Sequence, residues 1–158
     1  MRVKCTQIFT NRPNRTNRGN KTEHLSVGTE YLVLCIYFSN NGVLDYQIEG
    51  DAGDLIIFEA DQFEVLSRHI PSNWEITIKN TKVENSNDST YYLKLAPRRW
   101  NNASISFYEE ITDVSGPLEN WRHWPGIPEV VKLYLQEKDI IRDEEDKISS
   151  QKVIPLKK

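Results

Sequence analysis

Basic residues are missing from a long central part of this chain. Between Lys21 and Arg68 there is neither Lys nor Arg, while Glu23, Glu30, Asp45, Glu49, Asp51, Asp54, Glu59, Asp61 and Glu64 supply nine carboxylates. These leave fourteen acids for the rest of the chain against all 20 Lys and Arg, so a net charge of −3 divides into −9 and +6. Long apolar runs are missing too. No stretch approaches the ~20 apolar residues needed to cross a bilayer, and MRVKCTQIFT has a basic start without the apolar run of a signal peptide. The expected location is the cytoplasm, with no membrane partner. Only two cysteines occur, Cys5 and Cys35, both in apolar, strand-like runs. That usage predicts buried free thiols in a reducing compartment rather than a disulfide framework.

Catalytic motifs are also lacking. The three histidines, His24, His69 and His123, form no His-Glu-x-x-His pattern, and there is no Cys-x-x-Cys, glycine-rich phosphate loop or Gly-x-Ser-x-Gly elbow. The sequence therefore assigns no catalytic residue, no metal ligand and no cofactor, and the expectation is a protein that is not an enzyme. The segment GDAGD offers oxygen ligands from Asp51 and Asp54, yet it does not match a twelve-residue calcium loop, and a Gly-Asp turn between strands accounts for it.

What is present is a globular composition for one domain: 158 residues, 38% hydrophobic and 27% charged. MRVKCTQIFT can form a first short strand, followed by a polar, Arg-rich loop with Arg12, Arg15, Arg18 and Lys21. LSVGTEYLVLCIYF is dense in β-branched and aromatic residues and ends at SNNG, where Asn41-Gly42 suits a tight hairpin turn. The returning VLDYQIEG alternates, placing Leu44, Tyr46 and Ile48 on one face and Asp45, Gln47 and Glu49 on the other, so burial of the first set exposes the second. LIIFEADQFEVLS, NWEITIK and YYLKLA bring the strands to roughly six. Such close spacing excludes crossover helices and predicts an antiparallel sheet curled into a small barrel.

The period changes at Pro97. ASISFYEEIT carries Ile105, Tyr108 and Ile111 at helical spacing, and GIPEVVKLYLQEKDII continues with Ile127, Val130, Tyr134 and Ile141 after a helix-opening Pro128. The last residues, RDEEDKISSQKVIPLKK, alternate in charge and predict a frayed tail.

Two charged features remain for function. The cluster RRW at 98–100 with WRHW at 121–124 can stack bases or anchor a partner, although Trp100, Trp121 and Trp124 plugging the joint between sheet and helices is the plainer reading. With the Arg-rich loop it forms the basis of an alternative function, an RNA-binding or ribonucleoprotein adaptor. The acidic belt opposes nucleic acid, because it repels the phosphate backbone. The belt itself exceeds what solubility needs, since soluble faces mix both signs and crowded like charges weaken a fold. A basic partner converts that repulsion into attraction. The expected partner-binding residues are Asp45, Glu49, Asp51, Asp54, Glu59, Asp61 and Glu64.

Residues 25–76 resemble the small SH3-like barrel proteins that bacteria encode as immunity partners of polymorphic or contact-dependent toxins. Gly28 and Tyr31 at the barrel entry, the LIIFEADQFEVLS strand pair and the closing IPSNW carry the resemblance. It implies a non-enzymatic protein that binds one cognate toxin domain, often a nuclease, and masks its active site or substrate groove. Such families share no fixed interface residues, so no role passes to a particular position. The combined expectation is an α+β fold, a small antiparallel, partly open SH3-like β-barrel over about residues 1–96 followed by C-terminal helices over about 103–142. Residues 1–142 then form a single domain, and 143–158 a charged tail.

Overall fold

The computed structural model describes residues 1–9, 24–39, 42–82, 89–102, 117–123 and 125–151. Seven strands come first: β1 (Arg2–Cys5), β2 (Glu30–Ser39), β3 (Leu44–Glu49), β4 (Leu55–Glu59), β5 (Phe63–Ser67), β6 (Trp74–Lys82) and β7 (Ser89–Pro97). Among the described residues two helices follow, α1 (Arg98–Asn102) and α2 (Glu129–Gln151), and short 3-10 turns lie at Ala60–Gln62 and Leu118–Trp121. The fold is α+β, and the change from period-two alternation to helical spacing falls at Pro97 as the sequence predicts. The expected helix around Ile105–Ile111, the Arg-rich loop and Trp124 lie outside the described residues.

The long strand β2 organises the sheet. One of its edges carries β3; along the other, Tyr31 and its neighbours pair with β1, and Ile36–Ser39 pair with β7. An irregularity between Val33 and Cys35 bends the strand between these two partners. Outside them lie β4 against β3, β5 against β1 and β6 against β7, all antiparallel. The sheet thus forks, and among the described residues it does not close, because β4, β5 and β6 each pair along one edge. The Asn-Gly turn leaves its mark in Gly42 at φ +79°.

Each face of the sheet carries part of the core. On one face Phe63 gathers three aromatic rings, with Tyr31 at 6.2 Å edge-on, Tyr46 at 6.1 Å and Phe58 at 6.3 Å. Across the other face lies α2, whose Val131, Tyr134, Leu135 and Ile141 recur at helical spacing and are buried. Trp100, from α1, stacks on Tyr134 with centroids 5.7 Å apart and planes within 11°, so it plugs the joint between sheet and helix. The two cysteines are buried free thiols, and burial pushes the Cys35 thiol up to about 12.

Two expectations change here. Gln47 and Glu49 were to face water, but Gln47 is buried and Glu49 is half-buried beneath α2, because a helix packed on the second face removes the simple in/out meaning of alternation. Leu44, expected inside, is exposed at the far end of β3. The charged segment from residue 143 is also no frayed tail as far as Gln151: it completes α2. Its carboxylates hold the sheet. Glu145 is fully buried, accepts a hydrogen bond from Ser67 Oγ at 3.2 Å and pairs with the Met1 ammonium at 2.6 Å. Glu144 takes His69 at 2.8 Å and Ser72 Oγ at 2.7 Å, and Asp146 pairs with Arg2.

Candidate partner-binding surface

The seven expected acids separate into two groups at opposite ends of β3. At one end Glu49 turns towards α2, where it accepts a hydrogen bond from Tyr134 Oη at 2.5 Å and pairs with Lys138. Lys138 also reaches Glu119 at 3.1 Å, and Glu119 in turn holds Arg122, which forks onto Asp139. The Arg122 guanidinium beside Glu119 outweighs partial burial and, with Lys138, holds that carboxyl down at about 2. Burial and the neighbouring Glu49 carboxylate raise the Tyr134 phenol well above its usual range.

The β3–β4 turn continues this end. Asp51 accepts hydrogen bonds from Tyr31 Oη at 2.7 Å and Ser26 Oγ at 2.6 Å, while Tyr31 Oη accepts from the Ser26 amide at 2.8 Å. Burial, with Asp51 alongside, pushes the Tyr31 phenol up to about 12. Asp54 lies 3.1 Å from His24 Nδ1. Gly53, at φ +77°, closes the turn against Pro117, and the Leu118 amide donates to its carbonyl. GDAGD is therefore a turn whose carboxylates are engaged by the strand before it and the loop beside it.

The second group lies at the far end. Asp45 on β3 stands in register with Glu59 on the edge strand β4, like charge opposite like charge, and both are half-buried. The 3-10 turn after Glu59 presents Asp61, and the first turn of β5 presents Glu64; both are exposed. The four carboxylates thus come from one register pair and the six residues that join β4 to β5. About 13 Å of β3 separates Asp45 from Glu49, taking ~3.3 Å per residue.

Basic complements reach the acidic block from outside it. Lys4 on β1 stands in register between Glu30 and Glu64, and Lys138 comes from the other end of the chain. Opposite charges paired across strands contribute about 0.2–1 kcal/mol each. Alternation in one strand cannot reveal such partners. One signal for Lys138 was available, since it falls on the apolar stripe of α2, four residues after Tyr134 and three before Ile141. A lysine in that stripe requires a carboxylate on the surface it packs against.

The Trp/Arg cluster is engaged within the fold. Trp100 is buried, Arg98 pairs with Glu75, and Arg99 pairs with Glu137 at 3.3 Å; Trp121 packs against the core. Of the histidines, His24 and His69 meet Asp54 and Glu144, and His123 is exposed. Among the described residues no three His, Cys, Asp or Glu side chains converge as a metal-binding group, and no helix is long and apolar enough to cross a membrane. No protein-family model, curated protein or solved structure matches this chain.

Proposed function

We propose that the chain is a cytoplasmic binding protein that neutralises a cognate toxin domain, with a basic, nuclease-like surface, through the acids at the β4–β5 end: Asp45, Glu59, Asp61 and Glu64. The observation that carries this reading is the register of Asp45 against Glu59. Two carboxylates in register, with Asp61 and Glu64 exposed in the segment that follows, gather negative charge at one end of the sheet, and a basic partner is attracted there. A nuclease is basic where it holds its polyanionic substrate, so an acidic protein edge fits the same groove. Glu49 faces α2 through Tyr134 and Lys138, and Asp51 and Asp54 lie with it at the other end of β3, so this reading takes one of the two acidic ends as the interface. In this reading the strands over residues 25–76 are an opened SH3-like barrel, the architecture of the immunity proteins they resemble; the β2–β3 and β3–β4 hairpins, the pairing of β5 with β1 and the register shift in β2 support it.

Co-expression tests the proposal. The reading requires a large polypeptide encoded directly beside this chain's gene, and the probe is its carboxy-terminal domain, induced in cells with and without the chain. The expected result is growth arrest that the wild-type chain relieves and the Asp45→Lys/Glu59→Lys variant does not. Arrest unrelieved by the folded wild-type chain, or relief by the variant as complete as by wild type, overturns it.

A further inference from the structure

The second exposed feature of the molecule is apolar and lies away from the acids. Ile76 and Ile78 on β6 are 69% and 72% exposed. Cross-strand register continues from Ile78 to Leu93 on β7, Phe38 on β2 and Leu44 on β3, so a row of four exposed apolar side chains crosses four strands on one face. It begins at β6, which pairs only with β7 among the described residues and has neither proline nor register shift along its nine residues. An edge of that kind is a template for another strand. Its outward groups can be assigned. The Arg98 amide donates to the Asn73 carbonyl at 2.9 Å, which directs odd-numbered residues towards β7, and by alternation the amides and carbonyls of Ile76 and Ile78 point away from the sheet.

The sequence of this edge, Glu75-Ile76-Thr77-Ile78-Lys79, is self-complementary when read against itself in the antiparallel sense. We infer that β6 is a homodimer interface, in which two copies pair antiparallel about Thr77 and join their sheets edge to edge. In that register Ile76 of one copy exchanges backbone hydrogen bonds with Ile78 of the other, as two outward-directed residues must. Glu75 stands opposite Lys79 of the second copy, twice per dimer by symmetry, and on the opposite face the exposed apolar rows of both copies become one surface. A shift of the pairing by two residues would place Lys79 opposite Thr77 and leave Glu75 with only Arg98 of its own chain. Charge therefore selects both the partner, a second copy of this chain, and its register. The inference does not depend on the proposed toxin interface, which lies at the β4–β5 end.

A single strand pair lies below the ~1,200 Å² of a standard stable interface, so self-association in the micromolar range is expected. The experiment is sedimentation velocity over a concentration series reaching about 300 µM, a range set by that weak affinity, on wild type, Glu75→Lys, Lys79→Glu and the double exchange. Wild type is expected to pass from one-chain to two-chain mass. Each single reversal should weaken the dimer by about tenfold or more, because it sets like charges opposite each other twice, and the double exchange should restore it. Ile78→Lys should abolish it. Glu75→Lys also removes the Arg98 contact, so thermal unfolding accompanies each variant, and Lys79→Glu carries the comparison if Glu75→Lys is destabilised. One-chain mass at every concentration, or a dimer indifferent to Lys79→Glu, overturns the inference.

Discussion

Replacing Glu49 by Gln perturbs the one acid of the central block that structure and sequence place most differently. Its carboxylate meets Lys138 and Tyr134, and the side chains of Lys138 and Glu49 are only 10% and 20% exposed. Removing one member of a buried ion pair costs about 3–5 kcal/mol because it strands the other charge. Two features reduce that figure here: Lys138 keeps Glu119 at 3.1 Å, and Glu49 retains some water. A loss of about 2 kcal/mol is therefore expected, which for a chain of this size lowers Tm by roughly 4–8 °C. Glu64→Gln, at an exposed position opposite Lys4, serves as the comparison and should cost no more than about 1 kcal/mol. Denaturant and thermal unfolding of both variants, with Lys138→Met and the Glu49→Gln/Lys138→Met pair, complete a double-mutant cycle. The coupling expected is about 1–3 kcal/mol, so the double variant loses less than the two singles together. Glu49→Gln unfolding with wild type, or strict additivity in the cycle, would refute the placement of Glu49 as an internal anchor of α2.

Gly53→Ala should destabilise by about 1–3 kcal/mol, since the position combines a strained positive φ with a Cβ only 2.6 Å from Pro117 Cβ; chemical denaturation at wild-type level contradicts this. Truncation after residue 142 removes Glu144, Glu145 and Asp146 from Ser72, Ser67 and Arg2, and should lower stability by several kcal/mol, whereas truncation of a frayed tail would change nothing measurable by calorimetry. Acid should unfold the protein partly through Glu119. Its folded value of about 2 lies below the ordinary 4.5, so the stability it confers is complete above about pH 4.5 and is lost as pH falls towards 2. Glu144, also lowered because His69 and Ser72 outweigh its burial, acts in the same direction, while Glu137, raised by burial, opposes it. The melting temperature of Glu119→Gln should consequently fall less steeply over that window than that of wild type, and equal slopes would exclude Glu119 as a contributor.

How far the sequence could be read depended on the range of the interaction. Strand positions and the change at Pro97 are written in local period, and Trp100 at the sheet–helix joint follows from its place in the first helix, directly after the last strand. The reading of β3 failed where a distant element intervened. Alternation places Asp45, Gln47 and Glu49 on one face, but whether that face meets water depends on α2, more than 80 residues later in the chain. The absence of Lys and Arg between Lys21 and Arg68 carried the same ambiguity, because a cation that compensates an acid need not be near it in sequence. Lys138 and Lys4 supply two such cations. The alternating charges after residue 142 read as a tail because their partners, Ser67, His69 and Arg2, also lie far away in sequence. What survives as candidate surface is the part of the block whose like charges meet in register, Asp45 with Glu59, together with exposed Asp61 and Glu64.

The most direct test of that surface is kinetic. Association rates of wild type and of Asp45→Lys/Glu59→Lys with the carboxy-terminal toxin domain that the proposal requires beside this chain's gene should be measured by stopped flow across a salt series. For wild type the rate should fall steeply as salt rises through about 0.15 M, where the screening length is about 8 Å, and the double reversal should be slower and nearly insensitive to salt. Thermal unfolding of the same variant should be followed alongside, so that the rates are compared on folded protein. Equal rates and equal salt slopes for the two proteins would contradict the claim that these acids form the binding surface.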